Sequence, residues 1–341
     1  MTDTIINADA VIIGGGAAGL SAAVALARSL RSVVVIDAGE PRNAPADGAH
    51  NLLGREGIAP AELLRRGRDE ARGYGAQIIS GEVVNLVPTT PTAPINPTAP
   101  INPTAPTDSG PSADTSFDVT TGDGTRLRAR RILLAGGLVD RLPDVAGLAP
   151  LWGRDVLHCP FCHGYEVRDK RIGVLGTGPT AMHQVLLFRQ LSAQLTLLVH
   201  QMDALNPEQR EQAAALGVRI IESPVHRVES DAAGRLRAAV LADGREIELD
   251  ALVVAPRFDA RTELFEALGG MPEESPMGRL IPTEMGGRTS IPGVWAAGNA
   301  ADPMAMVGAS AAAGVMAGAT INADLAATDL AVAVAAQRTA G

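Results

Sequence analysis

Aromatic residues make up only 3% of this 341-residue chain, so Ala, Val, Leu and Ile must do the packing. With 46% apolar residues and a mean hydropathy of +0.12, they suffice for two cores. Positive charge is also short: 29 Lys and Arg against 38 Asp and Glu leave a net charge of −9. That balance argues against a nucleic-acid partner and against an anionic membrane surface. The amino end, MTDTIINADAVIIGGG, lacks the basic segment and cleavage-site pattern of a secretory signal, so a soluble, cytoplasmic chain is expected. Met304 to Ala323 carries no charge, but it is mostly Ala, Gly and Ser. A small-residue helix packed closely against a flat buried surface is expected there, not a membrane span.

Cysteine is scarce too. The stretch HCPFCHGYE, His158 to Glu166, holds both cysteines, Cys159 and Cys162, with a histidine on each outer side. Cys-x-x-Cys-His is a c-type haem attachment pattern, two Cys with two His could close a zinc site, and Cys-x-x-Cys alone is a common redox dithiol.

The rest of the chain supplies context for choosing among these. ADAVIIGGGAAGLSAAVALARSL reads as a short strand, a glycine turn and a helix, and RSVVVIDAGE as a second strand ending in Asp37. This is Gly14-x-Gly16-x-x-Gly19 in a β-α-β setting: one glycine for the turn, one for close approach of a pyrophosphate, one for helix-on-strand packing. The diphosphate would sit on the helix N-terminus, and Asp37 is placed to accept from a ribose. A second unit, KRIGVLGTGPTAMHQVLLFRQL, carries Gly176-x-Gly178-x-x-Ala181. Its following strand ends in His200, Gln201 and Met202, with no acid for a ribose 2′-OH and no Arg or Lys for a 2′-phosphate, so NADPH binding is doubtful. Between Pro88 and Asp108, PTAPINPTAPINPTAPT has the period of an extended polyproline II excursion, expected as a surface loop over 89–115 between strand-like flanks. Asp123-Gly124 is a hairpin signal.

The order of these features, with ARRILLAGG and TSIPGVWAAGN before a final helix, resembles the low-molecular-weight thioredoxin reductases over nearly the whole chain except the proline repeat. The resemblance implies an α/β fold of two Rossmann-like domains: a discontinuous FAD domain, 1–146 and 258–341, and an inserted NAD(P)-type domain, 147–257, carrying the dithiol. It implies a homodimer. It also implies FAD contacts from Gly14, Gly16, Ala17, Ala18, Gly19, Asp37, Asn51, Gly298, Asn299, Met306 and Val307, with Cys162 beside the flavin and Cys159 left for interchange with substrate.

In that context the dithiol is expected to be a redox-active disulfide. No export signal or helical haem fold accompanies it, and four ligands within six residues have little reach for a zinc tetrahedron, so no metal is expected. A nearby imidazolium and a helix start would favour the thiolate, bringing a Cys pKa to about 3.5–7.5. The chain then departs from the reductase pattern. His163 stands where those enzymes carry an Asp, Gly298-Asn299 replaces Gly-Asp, and Met306-Val307 replaces Arg-Gln. With CPFCHG, this looks like the branch of FAD-dependent dithiol oxidases that close disulfides in small sulfur metabolites and pass electrons to O2. His163 would deprotonate the incoming thiol, with His158 a further candidate. His50, His183, His200 and His226 have no claim beyond packing or surface. Two other readings stand: a thioredoxin reductase fed by NADPH or reduced ferredoxin, and a flavin-bearing redox sensor without turnover.

Overall fold

The computed structural model describes residues 5–89 and 115–340, and the proline repeat lies outside them. The chain divides into two units: residues 1–42, 61–139 and 258–341, and residues 43–60 and 140–257. Residues 43–60 and 140–146 thus group with the second unit, whereas the sequence pattern places them with the first. The reasons are local. Val228 N donates to Ala146 O at 2.8 Å, and a Cβ on Gly153 would stand 2.8 Å from Pro45 Cβ.

The first unit is built on a seven-stranded sheet. Its strands β1 (Ile6–Ile13), β2 (Val33–Asp37), β3 (Gln77–Ser80), β4 (Val83–Pro88), β5 (Phe117–Thr121) and β6 (Arg126–Leu134) lie in the order β3-β2-β1-β6-β5-β4. Buried on both faces, β1 and β2 read as near-continuous apolar runs and pair parallel, Ile13 with Ile36. A late strand, Val294–Ala296, joins parallel to β6. The antiparallel pair β4 and β5 flanks the proline repeat, with Pro88 opposite Phe117. Asp123-Gly124 makes the β5–β6 turn, where Gly124 has φ +86.

Helix α2 (Pro60–Gly73) leads into β3, while helix α1 (Ala17–Arg28) and the closing helix, Val307–Ala340, pack backbone to backbone. A Cβ on Gly314 would stand 2.0 Å from Ala18 O, so the small residues in both helices are a steric requirement. By length and hydropathy the closing helix could cross a membrane. Its Ala317, Ile321 and Leu325 are fully buried with α1 in the first unit's core. The buried Arg131 on β6 pairs with Asp324 and donates to Thr328 Oγ1 at 2.9 Å, pinning this helix to the sheet.

The second unit holds a parallel five-stranded sheet. Strands β7 (Val156–Leu157), β8 (Ile172–Gly176), β9 (Leu195–Val199), β10 (Arg219–Ile221) and β11 (Ala251–Val253) run in the order β10-β9-β8-β11-β7, with a three-stranded antiparallel sheet beside it. A helical turn α3 (Pro160–His163) follows β7, and helix α4 (Ala181–Arg189) follows the second glycine turn.

Candidate functional site

In the first unit the glycine turn forms a cradle that fits FAD. Gly14 has φ +112, and a Cβ there would stand 2.2 Å from Ala135 O. On Gly19 a Cβ would stand 1.9 Å from Gly14 O, so helix and turn touch backbone to backbone. Gly16 is different: nothing lies within 4 Å of its Cβ position, and it is the N-cap of α1 with no side chain capping the helix. That leaves open space at an uncapped helix start, the setting a diphosphate uses. Ala17 and Ala18 form the first turn of α1. Asp37 closes β2, accepting from Gly39 N at 3.2 Å and lying 3.6 Å from Arg68 Nη1. Gly298, at φ +68, packs on Ala18, and Asn299 holds the loop ahead of the closing helix. Its amide donates to Asp302 O and Ala305 O, and its Oδ1 accepts from Arg42 at 3.2 Å. Met306 precedes that helix and Val307 opens it.

Asn51 falls in the second unit. It adopts a left-handed φ of +58, and its amide donates to Phe161 O at 2.7 Å, inside the dithiol turn.

The dithiol itself is closed: Cys159 and Cys162 are joined as a disulfide, with Cα atoms 5.3 Å apart. Pro160 starts α3, Cys159 is its N-cap, and Cys162 N–H donates to Cys159 Sγ at 3.1 Å. A Cβ on Gly164 would meet Pro160 O at 2.2 Å and Leu191 Cδ1 at 2.4 Å, which explains the glycine after Cys-His. With each sulfur bonded to the other, neither is a thiolate ligand. Among the described residues no cluster of three or more His, Cys, Asp or Glu could hold a metal ion.

His163 closes the turn. Its Nε2 is buried without a hydrogen-bond partner, and burial holds its pKa below the ordinary 6.5 against the opposing pull of Glu166. It is therefore neutral near pH 7 and free to take a proton. His158 stacks on Trp152 with ring centroids 5.6 Å apart. The sequence pattern gives His50 no role, yet its Nδ1 lies 2.7 Å from Glu56 Oε1 and its Nε2 3.5 Å from Glu166 Oε1. No local pattern signals it, since its segment reaches the dithiol across 110 positions of sequence.

The second glycine turn does not repeat the first. A Cβ on Gly176 would stand 2.4 Å from Met202 Sδ, so that methionine lies against the turn. Gln201 N–H donates to Gly176 O at 2.9 Å, and Thr180 provides no side-chain cap to α4.

Comparison with known proteins agrees with this architecture. The sequence pattern of the pyridine nucleotide-disulphide oxidoreductases matches residues 8–318. Thioredoxin reductase tcpT of Claviceps purpurea is 32% identical over 297 residues, 85% of this chain and 86% of that protein. Thioredoxin reductase sirT of Leptosphaeria maculans is 30% identical over 326 residues, 92% and 93% of the two. The crystal structure of HlmI superposes with a TM-score of 0.86 at 41% identity, covering 98% of each chain.

Proposed function

The chain belongs to the pyridine nucleotide-disulphide oxidoreductase family, and on that premise we propose that this FAD-dependent thiol/disulfide oxidoreductase is a dithiol oxidase. Its substrate would be a small dithiol metabolite, converted to a cyclic disulfide as O2 is reduced to H2O2. The observation that carries this reading is the buried, unpartnered Nε2 of His163 directly after Cys162.

A neutral imidazole takes the proton of a substrate thiol, and the resulting thiolate attacks Cys159 Sγ. The Cys159–Cys162 bond breaks, a mixed disulfide forms on Cys159, and Cys162 leaves as thiolate. The second substrate thiolate then attacks the substrate sulfur of that mixed disulfide and expels Cys159. Cys162 N–H, 3.1 Å from Cys159 Sγ, supports the charge on this leaving sulfur. Two electrons have then passed from substrate to the protein dithiol. FAD held at the Gly14–Gly19 turn and Asp37 would supply the remaining chemistry, that of a two-electron carrier between the protein dithiol and O2.

The names of the relatives favour a second reading, a thioredoxin reductase, whose donor would be NADPH or reduced ferredoxin. Against it stand Gln201 and Met202 where a 2′-phosphate would need an Arg or Lys, and the contact of Met202 with the Gly176 turn. Oxygen uptake decides between them. Small dithiols should sustain turnover with one O2 consumed per disulfide formed and no nicotinamide present. Turnover that requires NADPH and thioredoxin would overturn the oxidase.

A further inference from the structure

Segment 43–60 reaches the dithiol turn by two tethers. Asn51 donates to Phe161 O at 2.7 Å, within α3, and His50 Nε2 lies 3.5 Å from Glu166 Oε1, on the 3-10 turn after it. The same segment carries its own carboxylate: Glu56 Oε1 is 2.7 Å from His50 Nδ1, and Glu56 Oε2 accepts from Asn51 N at 2.9 Å. The imidazole also lies close over backbone, since a Cβ on Gly48 would stand 3.3 Å from its Nε2.

We propose that His50 is a positioning residue for the dithiol site, which clamps the turn behind Cys162 through Glu166 and sets how readily His163 takes a proton. The inference rests on the reading of His163 as the base.

Both ring nitrogens of His50 face a carboxylate oxygen. A neutral imidazole has one N–H and can serve only one of them, whereas the cation serves both. Glu56 responds as such a partner, its carboxyl held below the ordinary carboxylate range chiefly by the hydrogen bond from His50. The charged groups acting on His163 are Glu166 from the following turn, and His50 and Asp47 from segment 43–60. Glu166 and Asp47 favour the imidazolium, while His50 opposes it and draws on the same Glu166 carboxylate. The competition for Glu166 gives His50 its effect. Clamped to His50, this carboxylate is less available to hold His163 charged, which keeps the base in its proton-accepting form.

Histidine-selective NMR of the full FAD-loaded protein, disulfide oxidised, follows His163 directly through a pH titration. His50→Gln removes the imidazole that competes for Glu166 and should raise the His163 midpoint by about half a pH unit, the scale of a screened charge pair. Glu166→Gln removes the favouring anion and should lower it by a similar amount. A merely structural role for His50 would leave the midpoint in place, and no shift, or shifts of the same sign in both variants, overturns the proposal. The acid limb of dithiol oxidation should track the midpoints. Opposite NMR shifts with an unmoved acid limb would uphold the His50 assignment and remove His163 as the base.

Discussion

The two glycine turns share a β-α-β frame and differ in the residues after the second strand. In the first unit, β2 ends in Asp37, and Gly16 opens onto empty space at the uncapped start of α1. In the second, the chain after β9 lays Met202 against Gly176 and runs His200, Gln201, Met202, with no Arg or Lys among them. One fingerprint is a cofactor cradle. Under the proposed function the other is a scaffold whose strands and helices support the disulfide, which lies between β7 and β8. The glycine pattern therefore reports a backbone shape, and the residues beyond the second strand report whether a nucleotide uses it.

If the second unit is a dithiol carrier, its cysteines must give the largest effect. Cys159→Ser and Cys162→Ser should each lower dithiol-driven oxygen uptake by about a thousandfold or more, because each removes a bonded partner in the exchange. Cys162→Ser should also accumulate a Cys159 mixed disulfide when incubated with the oxidised substrate, visible as an added mass. An adduct confined to Cys162 in the reciprocal variant would reverse the order of attack.

Replacing the base should cost less. His163→Gln is expected to slow dithiol oxidation by about a hundredfold, in the range for loss of one positioned proton acceptor, with FAD still bound.

A matched pair of glycine substitutions tests the comparison itself. Neither Gly16 nor Gly178 has an atom within 4 Å of its Cβ position. Gly16→Val should place a side chain where the diphosphate approaches and cut bound FAD by about tenfold, read from flavin absorbance. Gly178→Val should leave FAD content and dithiol turnover within about twofold of wild type. Equal damage from both would show the second turn to be a working site.

The smallest effect is on stability. Burial depresses the His163 pKa, so the unfolded chain binds its proton first as the pH falls. The stability tied to the neutral form is present above about 6.5 and is lost as the pH drops below it toward the lowered folded value. The urea midpoint should fall between pH 7.5 and 5.5, and fall less in His163→Gln.

Much of this is legible in the sequence because it depends on short-range pattern. The apolar runs of β1 and β2, the first glycine turn and the Asp123-Gly124 hairpin are all local signals. So is the dithiol, whose two cysteines are three positions apart. Two features are not legible. One is the hydrogen bond from the Asn51 amide to Phe161 O, and the other is the place of His50 between Glu56 and Glu166, to which no pattern gives a role. Both depend on segment 43–60 folding back onto residues more than 100 positions later, a register no spacing rule encodes. Met202 shows a milder case: its lack of charge is readable, while its position against Gly176 requires the fold.

The central claim is that electrons enter from a dithiol and not from a nicotinamide. Anaerobic stopped-flow mixing of the FAD-loaded protein tests it most directly, comparing flavin bleaching by a small dithiol with that by NADPH and by NADH. Bleaching should be fast with the dithiol and slower by at least about a hundredfold with either nicotinamide, since His200, Gln201 and Met202 at the strand end offer neither an Arg or Lys to the 2′-phosphate of NADPH nor an acid to the ribose 2′-OH of NADH. Bleaching by NADPH at a rate matching dithiol turnover would contradict the account and restore the reductase.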